Sequence, residues 1–369
     1  MRRRELVKLS TQLSLALAIP TAPALCASPR FSPVCSAANS RAGGHQLGVW
    51  QDNGWEFRLD APLRGHDVCL HLQQREVVFF ERRPGRYFYV VDGRSGRLHH
   101  RIAAQAGHHF YGHGIISADG RYLYTTENNA GAGGEGVIGV YDCQQDYRWL
   151  KHLDSGGIGP HELALMPGGN ELVVAIGGLK TLPSHGRKTL NPDHLRPGLA
   201  YINLGTAQVS EFVDAPHPQL SLRHLDVSVD GDVIVGAQYQ GPVPSGRALV
   251  YRHRRGGLLE ALQANNSLPL LRDYVASVAC DEKGNVLCSM PRDNLLTLWS
   301  INDGRFLQSW HLRDSAGACY DPRYEQFVVS NGRGQLMAAK PGHRDLLPLA
   351  YAPGVQWDNH LVILPEGWS

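Results

Sequence analysis

Short apolar runs separated by turn residues recur along most of the chain, and this pattern predicts β-strands. One example is Arg121-Tyr122-Leu123-Tyr124, which follows the turn at Asp119-Gly120. Runs of about 4–8 residues bounded by Gly, Asp, Asn and Pro are typical of strands. No long helical period accompanies these runs, which weakens the alternative of an α/β fold.

The strand-like runs form a repeat that opens on a histidine in five of its units. These residues are His66, His113, His161, His224 and His360. The first three intervals are 47 (66 to 113), 48 (113 to 161) and 63 residues (161 to 224), and the last, of 136 (224 to 360), fits three further units. Two units without the histidine, starting near Val275 and Ala316, fill that gap. Periods of ~40–50 residues with about four strands each predict propeller blades.

Seven units result, and the last one is cut short at Ser369. Residues 33–60 contain strand-like segments that can complete it, and pairing the two ends would remove the exposed edges of the ring. We therefore predict an all-β fold, a seven-bladed β-propeller closed by a blade shared between N- and C-terminal strands. Residues 28–369 would form this single domain.

The first residues predict an export signal. Arg2-Arg3-Arg4-Glu5-Leu6-Val7-Lys8 precedes a short apolar stretch from Leu13 to Ile19, and small residues lead to a cleavage site after Ala27. This arrangement favours a twin-arginine signal peptide over residues 1–27, with an ordinary secretory signal as the alternative. The twin-arginine route carries folded proteins, so we expect the protein in a periplasm.

The net charge and the absence of known motifs limit the classes of function that the sequence supports. The formal net charge of +2 gives no reason to expect a nucleic-acid partner. After the signal, no stretch is long and apolar enough to insert in a membrane. GxSxG, HExxH and phosphate-loop motifs are absent, which removes the best-known hydrolase and nucleotide-binding signatures. We expect a monomer.

The repeated histidines are the candidate chemistry. Inner strands of a propeller begin near one mouth of the channel, so all five imidazoles should face a common opening and could ligate a transition metal, iron or copper foremost, or a haem. Asp67 and Glu162, each one residue past a histidine, could orient the imidazoles. We expect metal affinity to fall below about pH 6.5, because a ligand imidazole must be neutral. Two alternatives stay open, namely structural hydrogen bonds between blades and acid–base catalysis.

A resemblance to a known family supports the metal interpretation. The twin-arginine start and a series of histidine motifs carry it: Gly65-His66-Asp67, Gly112-His113-Gly114, Pro160-His161-Glu162, Arg223-His224-Leu225-Asp226 and Asp358-Asn359-His360. They resemble an uncharacterised family of exported seven-bladed propellers, a domain of unknown function whose members are typically encoded beside imelysin-type, iron-regulated periplasmic proteins.

This resemblance covers nearly the whole chain after the signal. It implies a role in periplasmic iron handling, with other iron-uptake proteins of that compartment as partners, and it carries over no catalytic residue. Blade turns such as Ser117-Ala118-Asp119-Gly120 are also similar to those of lactonase-like propellers, but at the level of the repeat only. The sequence thus leaves three functions: a metal- or haem-binding propeller, a hydrolytic enzyme, or an interaction scaffold with structural histidines.

Overall fold

Seven antiparallel sheets surround a central channel in the computed structural model, which describes residues 30–52, 54–186, 188–243, 245–264 and 271–368. The predicted all-β, seven-bladed propeller is therefore confirmed. The predicted signal peptide, residues 1–27, lies outside the described residues. Among the described residues, no helix has the length and apolar character needed to cross a membrane.

The strands follow the chain blade by blade. Three strands of the closing blade come first: β1 (Val34–Ser40), β2 (His45–Gln51) and β3 (Gly54–Ala61). The next blade consists of β4 (Gly65–His71), β5 (Glu76–Glu81), β6 (Tyr87–Asp92) and β7 (Leu98–Ala103). The third blade consists of β8 (His108–Ile116), β9 (Tyr122–Asn129), β10 (Glu135–Asp142) and β11 (Arg148–Asp154).

The remaining blades repeat this plan. Two of them are β12 (Pro160–Leu165), β13 (Glu171–Ile176), β14 (Gly198–Asn203) and β15 (Gln208–Asp214), then β16 (Leu220–Val227), β17 (Val233–Tyr239), β18 (Val250–His253) and β19 (Glu260–Ala261). Two more are β20 (Ser277–Cys280), β21 (Asn285–Met290), β22 (Leu295–Ser300) and β23 (Phe306–His311), then β24 (Ser315–Asp321), β25 (Gln326–Asn331), β26 (Gln335–Ala339) and β27 (Leu347–Tyr351). The last strands are β28 (Val355–Trp357) and β29 (Val362–Ile363), and short 3-10 turns lie at Cys143–Gln145 and Pro183–His185.

Burial within a blade explains the hydrophobic pattern. The second strand is covered on both faces by neighbouring blades, so β5 presents the unbroken apolar run Val77-Val78-Phe79-Phe80, which is fully buried. The outer strand β7 has a solvated face and alternates exposed with partly buried residues. A strand with both faces covered must be apolar throughout, whereas a half-covered strand alternates. The cores of the propeller therefore lie between adjacent blades.

The two ends of the chain close the ring. β1 pairs with β28 through Ala38 and Trp357, and with β29 through Cys35 and Val362. The Ser36 hydroxyl donates a hydrogen bond of 2.8 Å to the carbonyl of His360. The shared closing blade predicted from the sequence is confirmed, and it places His360 among the inner strands.

Candidate metal centre

The five predicted histidines meet at one end of the channel. Their ring centroids form a closed circuit in chain order, with successive separations of 4.7–4.9 Å. Distances across the circuit are short as well, for example 4.8 Å from His113 to His360 and 6.2 Å from His66 to His224. A flat regular ring would give longer diagonals, so the five imidazoles form a compact cluster and not such a ring.

Irregular strand pairing aims four of these histidines into the channel. In β4 the register shifts between Gly65 and Val68, so two residues, His66 and Asp67, lie opposite a single residue of the partner strand β5. Similar shifts surround the histidines of β8, β12 and β16. A β-bulge bends its strand and re-aims a side chain, and bulges are common next to functional sites.

Gly112 makes the close approach of two imidazoles feasible. Its φ is +109°, a conformation that favours glycine, and a Cβ at this position would lie 3.1 Å from Cδ2 of His66. The absence of a side chain at Gly112 therefore allows His113 and His66 to lie in contact.

A buried carboxylate fixes the orientation of His66. Asp358 is fully buried and accepts hydrogen bonds from His66 Nδ1 (2.9 Å), Arg64 Nε (2.5 Å) and the backbone N–H of Asn359 (2.9 Å). With its proton held on Nδ1, His66 keeps the Nε2 lone pair for another partner. Metal-binding histidines commonly use a carboxylate on the second nitrogen in this way.

Two further carboxylates lie against His224 and His360. His224 Nδ1 is 2.9 Å from Oε2 of Glu162, which also accepts the backbone N–H of Leu225 at 3.3 Å. His360 Nδ1 is 3.6 Å from Oδ1 of Asp67 and 3.9 Å from Oε1 of Glu162. Each carboxylate therefore serves a histidine of another blade, not the one that precedes it in the sequence.

Four side chains form a compact set of donor atoms. One atom each from His113, Glu162, His224 and His360 lies within 4.8 Å of the other three. The Nε2 atoms of His113 and His360 are 3.1 Å apart. Nitrogens bound to one ion at about 2.0–2.1 Å lie about 2.9 Å apart at a right angle and about 3.4 Å apart at the tetrahedral angle, so this pair fits a shared ion. Opposite ligands of an octahedral ion lie about 4.2 Å apart, so any two donor atoms near the 4.8 Å limit would have to draw in by some tenths of an ångström.

Burial sets the charge state of the cluster. Loss of solvation lowers the pKa of His66, His113, His161 and His360 well below 6.5, and lowers the pKa of His224 to about 3. The imidazoles are therefore neutral at pH 7, the form that binds metals. Burial also raises the pKa of Asp67 and Glu162 well above their usual range, and raises the pKa of Asp226 to about 6.

The imidazole cluster separates two spaces. On one side lies a mouth cavity of about 30 Å³, lined by the residues His66, Arg82, Arg83, Tyr111, His161, Arg223, His224, Gln238 and Tyr274. On the other side lies the channel, about 410 Å³, lined mostly by aliphatic side chains of the inner strands and by Asp67, Glu162 and Asp226. The cluster thus stands between an arginine-rich mouth and a channel that carries carboxylates.

The sequence prediction named all five histidines as metal ligands. The structure brings all five together, but the compact donor set contains His113, His224 and His360, while His66 and His161 border it. Ligation by any of them stays a prediction. Sequence reasoning treated Glu162 only as an orienting residue, and it gave Asp358 no role.

Comparison with known proteins identifies the family. A family described as protein of unknown function (DUF1513) matches residues 59–364. The chain belongs to this family. The resemblance to an uncharacterised family is thereby confirmed, whereas the gene neighbourhood that it implies stays a prediction. A search of curated proteins finds no match to the sequence.

Solved structures share the fold. Hydrazine synthase of Kuenenia stuttgartiensis is similar with a TM-score of 0.60 and 14% identity, over 84% of this chain and 96% of that chain. The periplasmic gluconolactonase PpgL of Pseudomonas aeruginosa is similar with a TM-score of 0.62 and 17% identity, over 91% of this chain and 100% of that chain. At these identities the likeness shows the propeller fold alone.

Proposed function

We propose that this protein binds one transition-metal ion at the head of its channel, with His113, Glu162, His224 and His360 as ligands, and that iron is the metal it handles. The observation that carries the proposal is the compact donor set, because four side chains from four different blades bring one donor atom each to within 4.8 Å of one another. Sheet packing alone does not require this convergence.

The ring nitrogens of the imidazole cluster are only partly hydrogen-bonded. A hydrogen bond between His113 Nε2 and His360 Nε2 would also suit their 3.1 Å separation. Nδ1 of His113 and Nδ1 of His161 are buried and have no hydrogen-bond partner among the described residues, and such an atom costs about 1–3 kcal/mol. Ligation through Nε2 would leave Nδ1 of His113 unpaired as well, so the case for ligation depends on the compact donor set.

The dimensions favour a bare ion over haem. The mouth cavity of about 30 Å³ has roughly the volume of one or two water molecules, far less than a porphyrin needs. The three ligand histidines also point toward one another and not toward opposite faces of a flat group. We therefore propose a mononuclear site.

The donor chemistry limits the choice of metal. Imidazole ligands suit Zn²⁺, Cu²⁺, Fe²⁺ and Ni²⁺, and a carboxylate shifts the preference toward harder ions and away from Cu⁺. Several histidines with one carboxylate are typical of non-haem Fe²⁺ sites. Family resemblance adds the expectation of a periplasmic role in iron handling beside other iron-uptake proteins.

Calorimetric titration of the metal-free protein tests this proposal. Fe²⁺ under anaerobic conditions, and Zn²⁺, Cu²⁺ and Mn²⁺ in parallel, should show one site per chain. His113→Ala and His360→Ala should each weaken binding by at least about 100-fold, while His311→Ala, at an exposed histidine of β23, should not. Absence of binding, or equal affinity in all three variants, would refute the site.

The hydrolytic alternative has less support. Likeness to the gluconolactonase extends to the fold and assigns no residue of this chain to catalysis. If the metal-loaded protein opened lactones at rates that His113→Ala abolished, the bound ion would instead be a Lewis acid.

A further inference from the structure

Three arginines share the mouth cavity with the imidazole cluster. Arg82 and Arg83 follow β5, Arg223 lies in β16 directly before His224, and all three line the same space of about 30 Å³. Arg223 is buried, with 7% of its surface exposed. Because a guanidinium has five N–H donors, it can contact the protein and a ligand at the same time.

Two phenols add donors to this cavity. The hydroxyl oxygen of Tyr111 accepts a hydrogen bond of 3.0 Å from Asn128, and that of Tyr274 accepts one of 3.1 Å from Asn359. Since each oxygen already accepts, its own O–H hydrogen can be donated to a ligand. Arg83 also lies over the Tyr111 ring, 5.5 Å from its centroid.

The described lining of the cavity contains no carboxylate, so its charged groups are cationic. Arg223 directly precedes His224 in β16 and lines the cavity with it, so positive charge lies beside the imidazole cluster. A metal cation bound in the cluster would be repelled by this charge, and an anion in the cavity would offset the repulsion.

We propose that the mouth cavity binds the carboxylate or carbonate group of a small oxyanion, held by Arg82, Arg83 and Arg223 directly beside the metal. Guanidinium groups match planar oxyanions with paired N–H···O bonds. The anion is either free bicarbonate or one carboxylate of a larger molecule that extends out of the mouth. Its role as a partner of the metal rests on the proposed function, whereas its binding does not.

Reciprocity gives the proposal a quantitative form. If the anion strengthens metal binding by some factor, the metal must strengthen anion binding by the same factor. Removing arginine charge should therefore act in opposite directions on the two ligands. It should weaken anion binding, and it should leave the metal affinity, measured without oxyanions, unchanged or higher.

Titration of the full chain with bicarbonate, acetate and citrate, metal-free and metal-loaded, tests the inference. We expect binding of at least one probe, tighter in the loaded protein, and a loss of tenfold or more in the double variant Arg82→Gln, Arg83→Gln. Arg305→Gln, an exposed arginine before β23, is the matched control and should bind as the parent does. If bicarbonate and acetate bind as tightly as citrate does, the ligand of the cavity is a free small anion. If only citrate binds, the ligand is a larger polycarboxylate.

The opposite results overturn the inference. They are absence of binding by every probe, unchanged affinity in the double variant, or a parallel loss of metal and anion affinity. Thermal melting checks that the double variant is folded, and Arg83→Gln alone, at a half-buried residue, replaces it if it is not. Anion binding without any metal binding would refute the proposed function and support the anion site. Metal binding without anion binding would support the proposed function and refute the anion site.

Discussion

Replacing Glu162 with glutamine removes one negative charge from the donor set and changes the side-chain volume very little. Glu162 is the only carboxylate in that set, and it also accepts hydrogen bonds from His224 Nδ1 and the Leu225 N–H. A glutamine can keep one acceptor oxygen but not the charge. The substitution therefore tests the ligand role with little effect on packing.

The expected loss follows from these contacts. Removing a carboxylate that only orients a ligand histidine costs about 10–100-fold in metal affinity. Glu162 would act in addition as a direct ligand, so the loss should be at least about 100-fold, or about 2.8 kcal/mol. A smaller loss would reduce Glu162 to an orienting residue of His224.

Calorimetric titration with Fe²⁺ and Zn²⁺ measures this change. Glu171→Gln is the matched control, since Glu171 lies in β13 of the same blade and outside the donor set. Both variants should melt like the parent when metal-free. If Glu162→Gln bound either ion as tightly as Glu171→Gln does, the proposed ligand set would be wrong.

Four further predictions follow from the structure and the sequence. Burial raises the pKa of Glu162 and lowers that of the imidazoles, so protons compete with the metal mainly at the carboxylate and not at the histidines. Affinity should thus rise with pH until Glu162 is ionised, without a step near the ordinary histidine value, as titrations at pH 4–8 would show. Asp358→Asn should change metal affinity by less than about tenfold, because its partner His66 borders the donor set and is not one of the proposed ligands; a loss of about 100-fold would place His66 among the ligands. Deleting residues 356–369 removes β29 and most of β28, so calorimetry should no longer show one cooperative transition, and a parental melt would contradict the ring closure. Replacing Arg3 and Arg4 with lysine should leave the protein in the cytoplasm in a fractionation assay; continued export would indicate the general secretory route.

The repeat made the fold predictable. Each blade buries its second strand on both faces, so an apolar run such as Val77–Phe80 indicates the position of each sheet along the chain. Ring closure was predictable as well, because the last unit lacks strands that residues 33–60 supply. Both inferences depend on local patterns that survive in a single sequence.

The site was predictable only in part. A shared position in the repeat is enough to place the histidines at one mouth, and all five lie there. Which of the five share a compact donor set depends on bulges and side-chain positions that leave no clear pattern in the sequence, so the grouping of His113, His224 and His360 could not be foreseen. Contacts between blades are equally hidden: Glu162 follows His161 in the chain but bonds to His224.

The pH dependence shows the same limit. From the sequence, a histidine site should lose metal below about pH 6.5. Burial of the cluster, which the sequence does not reveal, lowers the pKa of the imidazoles and raises the pKa of the carboxylates. The carboxylates, and not the imidazoles, therefore determine the pH range over which metal affinity changes.

Anomalous diffraction from crystals grown with Fe²⁺, recorded above and below the iron edge, tests the central claim most directly. A single iron peak should lie at about 2.0–2.3 Å from Nε2 of His113 and Nε2 of His360, with Glu162 and His224 completing the protein ligands. A map with no iron peak at the head of the channel, or with iron bound only elsewhere, would contradict the proposed site.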